Sequence, residues 1–276
     1  MKKYLWILAF AAACLAAVAC TPKAKTPKVL VLYYSQTANT KAVAEEIATQ
    51  LGADIEEILP LNPYSGSFME TVQRAGDERE SGNMPEIQPL QSKIADYDLI
   101  FIGYPVWSGT YAWPIATLLD EVDFSGKKIV PFCTFGSGGL GSSSQDIAAK
   151  LTGSEVLPGY GVRAARLAAV PKEVERFLKS NGYLAGEVEA LEEFSDPHEV
   201  SEEEAAIFDA AVSTYPMIRA KANTVASRTI PDGTEYLFTA VDLPREGAPQ
   251  MAAPQEMKVY VTVENGKAPE FTEVVR

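Results

Sequence analysis

The residue types best suited to chemistry in this chain are gathered in Ser35-Gln36-Thr37-Ala38-Asn39-Thr40. Before them stands an apolar and aromatic run, Val29-Leu30-Val31-Leu32-Tyr33-Tyr34, which reads as a strand buried on both faces. After them an apolar stripe at Val43, Ile47 and Leu51, with Ala42, Ala44 and Ala48 beside it, has helical spacing. Strand, polar turn and helix start in direct succession aim unpaired amides and the positive end of a helix dipole at one point. The hydroxyls of Ser35, Thr37 and Thr40 can donate to the same anion. Neither Lys nor Arg lies inside the run, so it is not a Gly-Lys-Ser triphosphate loop. It suits a monophosphate held by neutral donors. The competing reading is local, since Ser, Thr and Asn also cap helices.

Two later segments have unusual composition for loops. Gly103 to Trp113 contains Pro105, Val106, Trp107, Ser108 and Gly109, and carries two Trp and two Tyr where loops are ordinarily polar. Aromatic faces stack on a flat ring, and Gly109 lets a backbone amide approach a ring edge. Packing against a neighbouring helix is the alternative for Trp107 and Tyr111, and the better reading for Trp113. Thr134-Phe135-Gly136-Ser137-Gly138-Gly139-Leu140-Gly141 is glycine-rich, so its main chain can reach the polar edge of a ligand. A linker between domains would have similar composition, but here it would interrupt a β-α alternation.

Ser-Gln-Thr-Ala-Asn-Thr closely resembles the flavodoxin phosphate loop, Ser/Thr-x-Thr-Gly-x-Thr, which wraps the 5′-phosphate of FMN. Gly-Tyr-Pro-x-Trp and Thr-x-Gly-x-Gly-Gly resemble the other two loops of flavodoxin-like proteins of anaerobic bacteria. The resemblance covers residues 28–182 and implies FMN as cofactor. Ser35, Gln36, Thr37, Ala38, Asn39 and Thr40 would hold its phosphate. Pro105, Val106, Trp107, Ser108 and Gly109 would meet the ring. Thr134, Phe135, Gly136, Gly138 and Gly139 would meet the pyrimidine side. One departure is Ala38, where the family has Gly. Either this position avoids a positive φ, or the methyl group is accommodated beside the phosphate.

The elements that must position these loops alternate. Further strands are expected at Ala53 to Leu59, Tyr97 to Tyr104 and Ile129 to Phe135. The fifth is expected at Glu155 to Leu157 and Gly161 to Val170, broken at Pro158-Gly159. Helices are expected at Ser67 to Glu80, Trp113 to Leu119, Ser142 to Leu151 and Pro171 to Ser180. Five such units with doubly apolar strands define an α/β fold, a doubly wound parallel sheet covered on both faces. Ligands lie at the carboxyl ends of such strands, near the switch point. The resemblance implies the flavodoxin-like strand order 2-1-3-4-5.

Residues 186–276 lack this alternation. A helix with Ala205, Ile207, Phe208, Ala211 and Val212 on one face starts near Glu202-Glu203-Glu204. Strands are expected at Asn223 to Ile230, Thr234 to Val241 and Met257 to Val263, the first two joined at Pro231-Asp232-Gly233. Leu243 to Pro254, with no periodicity, reads as a flexible loop. One helix and about three antiparallel strands form a small α+β unit similar to cystatins. Only Gly233 and the Thr-x-Tyr after it match the central cystatin hairpin, so docking or partner binding is expected rather than protease inhibition.

The formal charge of −13 disfavours nucleic acid and anionic membrane surfaces as partners. At the N-terminus, Lys2 and Lys3 precede an apolar run, Tyr4 to Ala19, too short for a comfortable span. With Val18-Ala19-Cys20 it resembles a bacterial lipoprotein signal, which implies lipidation of Cys20, a signal at 1–20, a tether at 21–27 and a cell-envelope location. An ordinary signal peptide or an uncleaved anchor are the alternatives. Without residues 1–19 the chain has 22 basic and 37 acidic residues, a charge of −15. Of the three cysteines only Cys133 then lies in the folded part, and it is expected in the core. His198 is the single histidine, which argues against zinc and Ser-His-Asp chemistry.

The expected function is FMN-dependent electron transfer with a redox partner protein or a small acceptor. Negative charge added to a flavin within so acidic a chain is opposed by Coulomb repulsion, which is expected to lower its second reduction potential. Two alternatives stand beside it: an NAD(P)H-dependent FMN quinone or acceptor reductase, and a flavodoxin-shaped binding module without FMN. The oligomeric state is not legible in the sequence.

Overall fold

The computed structural model describes residues 27–65, 67–188, 190–215, 218–243 and 255–275. The expected signal at 1–20, the tether up to residue 26 and the loop from residue 244 to 254 lie outside the described residues.

Strand β1 (Val29–Tyr33) leads into helix α1 (Asn39–Leu51), which Gly52 ends in a left-handed conformation. Strand β2 (Asp54–Glu57) follows, then helix α2 (Phe68–Ser81), begun by a reciprocal capping box between Ser67 and Glu70. Strand β3 (Leu99–Trp107) turns into the two-residue strand β4 (Thr110–Tyr111) and helix α3 (Trp113–Glu121). Strand β5 (Lys128–Phe135) precedes helix α4 (Gly141–Lys150). Two short strands, β6 (Glu155–Val156) and β7 (Tyr160–Arg163), then pair in parallel with β5. Helix α5 (Val170–Ser180) completes the unit. The parallel strands lie in the order β2-β1-β3-β5, with β6 and β7 together as the outer fifth position. This is the expected 2-1-3-4-5 arrangement.

Alternating side chains serve opposite faces of the sheet, as doubly buried strands require. Leu30, Leu32, Ile100, Ile102, Ile129 and Cys133 pack with Ile115 and Leu118 of α3 and Ile147 of α4. Val31, Phe101, Val130 and Phe132 pack with Val43 and Ile47 of α1 and Val174 and Leu178 of α5. Cys133 is a fully buried free thiol, and burial raises its pKa.

The expected fifth strand requires a correction. Ala164–Ala169 is a 3-10 turn, not a continuation of strand. Its Ala, Leu and Arg residues lack the β-branched shape that favours a pleated surface. The turn also lets Arg166 fold inward onto Glu173 and Glu270, at 2.8 and 2.9 Å.

The remaining chain forms strand β8 (His198–Glu199), helix α6 (Glu202–Ser213) and strands β9 (Ala220–Ile230), β10 (Gly233–Asp242), β11 (Glu256–Glu264) and β12 (Glu270–Val275). They make an antiparallel sheet ordered β12-β11-β10-β9-β8. Phe208 and Ala211 of α6 cover Val225, Phe238, Val259 and Phe271. The sheet thus has five strands where about three were expected. β8 is too short to carry a period. β12, Glu-Phe-Thr-Glu-Val-Val, hides its alternation among acids. The register pairs Ile230 with Gly233, so Pro231 and Asp232 form the hairpin loop and Gly233 opens β10.

Candidate functional site

The sheet reverses its order between β1 and β3, and the loops that leave the carboxyl ends of β1, β3 and β5 emerge side by side. The register sets Tyr33 beside Gly103 and Pro105 beside Thr134. Direct contacts then join the loops. Thr40 and Thr134 share a buried hydroxyl–hydroxyl bond of 2.8 Å. The Tyr34 and Trp107 rings meet edge to face with centroids 5.8 Å apart. Ser142 Oγ, at the start of α4, donates to the Gly109 carbonyl at 2.6 Å. All three expected segments therefore gather at one edge.

In the first loop, Ala38 occupies the position before α1 with φ 64°. Of the two readings of this position, the positive φ is adopted and the methyl group is accommodated at an exposed site. The helix start has neither a side-chain cap nor an acid in its first turn. Its amides are left for another acceptor, the condition an anion meets. Only the Lys41 amide is taken up locally, by Ser35 Oγ at 3.2 Å. Lys41 itself points along the helix to Glu45. Gln36 is committed elsewhere: its Oε1 accepts from Tyr34 Oη at 2.5 Å and its Nε2 donates to the Tyr64 carbonyl at 3.0 Å. Its side chain braces the loop, leaving Thr37, Asn39 and the backbone at the crest.

The aromatic segment is a tight hairpin. Val106 pairs with Tyr111 and Trp107 with Thr110, and the two residues at the tip, Ser108 and Gly109, have φ of 49° and 84°. Two successive positive φ values define a type I′ turn, whose twist matches the strands it joins. Thr110 Oγ1 donates to Asp146 on α4 at 2.6 Å, anchoring the tip. Trp107 is half-buried, with Tyr64 edge-on at 5.0 Å. Trp113 is a core residue whose indole donates to the Ala75 carbonyl at 2.7 Å.

No motif marks the residues that back Trp107. Tyr64 donates its hydroxyl to Glu78, and the Arg74 guanidinium lies 4.0 Å above its ring. Arg74 also bonds Glu78 at 2.8 Å. Burial and the Glu78 carboxylate hold the Tyr64 phenol protonated, far above its ordinary pKa.

In the third loop Thr134 and Phe135 are buried, Gly136 and Gly138 are exposed, and Gly139 is buried with φ 70°. The Gly136 carbonyl accepts from Arg163 Nε at 2.8 Å and the Ser137 carbonyl from the Val274 amide at 3.0 Å. A Cβ on Gly139 would fall 1.7 Å from Glu273 Oε1. Neither Arg163 nor Glu273 carries a motif, and their roles follow only from the docking of β12. Among the described residues Ala38 and Ser108 are the two non-glycine positions with positive φ. Both lie in these loops. Backbone strain of this kind collects where a ligand is held. His198, by contrast, bonds Glu204 at 2.9 Å in the antiparallel unit.

The parallel sheet, its switch point and the three loops define a flavodoxin-type fold. The family model described as Flavodoxin matches residues 28–170, and the chain belongs to the flavodoxin family. A putative flavoprotein from Bacteroides eggerthii is 26% identical, with a TM-score of 0.50 over 56% of this chain and 97% of that one. A flavoprotein in complex with FMN from Lactobacillus acidophilus is 29% identical over 53% of this chain and 97% of that one, with a TM-score of 0.45. No curated protein matches the chain.

Proposed function

We propose that the chain is an FMN-binding electron-transfer flavoprotein, anchored in the bacterial cell envelope through a lipid on Cys20. Family membership supports the cofactor, and one observation carries it to these residues. The strained positions Ala38 and Ser108 lie in loops gathered at the carboxyl edge, beside a helix start without a cap. The amides around Thr37 to Thr40 would take the phosphate. The hairpin tip at Trp107 to Gly109 would border the ring, and the main chain of Gly136 to Gly139 its polar side. FMN supplies the redox chemistry and the protein tunes it. Tyr34, Tyr64 and Gln36 hold the hairpin and first loop in register, and the contacts to α4 anchor its tip. A redox protein or small acceptor serves as partner.

The full chain, purified from membranes, is expected to carry the absorbance of bound flavin or to acquire it when FMN is added. A colourless protein that FMN leaves unchanged would refute the redox reading and favour a binding module. NAD(P)H oxidation in the presence of quinones would mark a reductase, whereas bound FMN without turnover marks a carrier. Cys20→Ser is expected to move the protein out of the membrane fraction; unchanged membrane association would contradict the lipid anchor.

A further inference from the structure

The last strand of the antiparallel unit is fastened to the third loop of the candidate site. Arg163 stands at the end of β7, paired with Phe135, where that loop begins. Its guanidinium is buried, with 5% of the residue exposed. Nε donates to the Gly136 carbonyl at 2.8 Å and Nη1 to the Phe271 carbonyl at 2.6 Å. The guanidinium lies over the face of the Phe271 ring, 4.2 Å from its centroid. Three residues on, the Val274 amide donates to the Ser137 carbonyl at 3.0 Å. Glu273 fills the space in which a side chain on Gly139 would lie. Glu273 and Val274 of β12 thus meet the loop from Gly136 to Gly139, Phe271 reaches it through Arg163, and none of these contacts is needed to close either sheet.

We infer that β12 is a positioning element of the flavin site, with Arg163 as the positioning residue that couples FMN binding to the docking of the antiparallel unit. The inference rests on the FMN reading. Arg163 reaches no ligand itself. It fixes the direction of the Gly136 carbonyl, and with it the neighbouring amides that would face the cofactor. A rigid planar fork fixes the directions of two carbonyls at once, which the single nitrogen on a lysine's flexible stem does less well. Coupling is reciprocal: if docked β12 strengthens FMN binding, bound FMN strengthens docking by the same factor. A partner that engages the antiparallel unit would then act on FMN affinity without touching the cofactor.

The test compares amide hydrogen exchange of the full chain with and without FMN, and FMN affinity in variants. FMN is expected to slow exchange in both 134–140 and 270–275. Protection confined to 134–140 would overturn the coupling. Arg163→Gln is expected to weaken FMN binding about tenfold, the equivalent of one lost hydrogen bond, and Arg163→Lys by less. Wild-type affinity in Arg163→Gln would also overturn it. Lys172→Ala serves as control, because it removes an exposed 2.9 Å ion pair to Asp232 between the two units without touching the loop. Its FMN affinity is expected to match the unmodified chain, and a loss equal to that of Arg163→Gln would overturn the role of Arg163. Should Arg163→Gln fail to fold, the exchange comparison on the unmodified chain decides. Should the unmodified chain fail to bind FMN, the FMN reading falls by itself. The clamp is then judged from exchange of 134–140 in Arg163→Lys, where acceleration supports it and no change overturns it.

Discussion

The hydroxyl pair between Thr40 and Thr134 ties the first loop to the third inside the protein, where neither group meets water. Thr134→Val leaves the Thr40 hydroxyl buried without that partner, a loss of about 1–3 kcal/mol. Urea unfolding is expected to show that loss, and adding Thr40→Val is expected to recover part of it. A double variant that loses the sum of both singles would contradict the pairing. Ala38 makes a second case. A left-handed alanine costs about 1–2 kcal/mol, and glycine gives back about 0.5–1 kcal/mol in chain entropy. Ala38→Gly is therefore expected to stabilise the protein by about 0.5 kcal/mol. Destabilisation would show that the methyl group makes a favourable contact. The sequence posed this choice at Ala38 without deciding it, because φ depends on where the helix start is held.

Among the elements, the hairpin from β3 to β4 departs furthest from its reading as a loop. Aromatic content marked the segment, but the turn type was hidden because Ser-Gly is a less familiar type I′ pair than Asn-Gly. Ser108→Asn supplies the residue that turn prefers and is expected to raise the thermal midpoint slightly. A lower midpoint would argue against two positive φ values at the tip. The sheet itself was legible, since Val29 to Tyr34, Tyr97 to Tyr104 and Ile129 to Phe135 are continuous apolar runs that only a two-sided core explains. Ala164 to Ala169 misled because short apolar stretches look alike as strand and turn. The 3-10 form wins by placing Arg166 between Glu173 and Glu270. Nothing local announces that arrangement.

Across the whole molecule, the contacts between the two sheets are the part least legible in sequence, because they join residues about a hundred positions apart. Arg163 with Phe271 is the example. Glu273 gives this junction a pH dependence. Burial, and then the negative charge of Glu235, raise its pKa above the ordinary 4.5. The folded state thus holds this proton more tightly than the unfolded chain. Stability contributed by the neutral form is full below about pH 4.5 and falls as pH rises from there through the folded value. Glu273→Gln is expected to remove that decline, measured as unfolding free energy at pH 5 and pH 8. Parallel declines in variant and parent would place the charge elsewhere.

The central claim is that three loops form a cradle for a phosphorylated flat ring, and the phosphate isolates it. Titrating the full chain with FMN and with riboflavin, followed by flavin fluorescence, compares ligands that differ only in that group. Amides at an uncapped helix start predict that FMN binds at least about tenfold more tightly, the worth of one charge-assisted hydrogen bond. Equal affinity for the two, or binding of neither, would contradict the account.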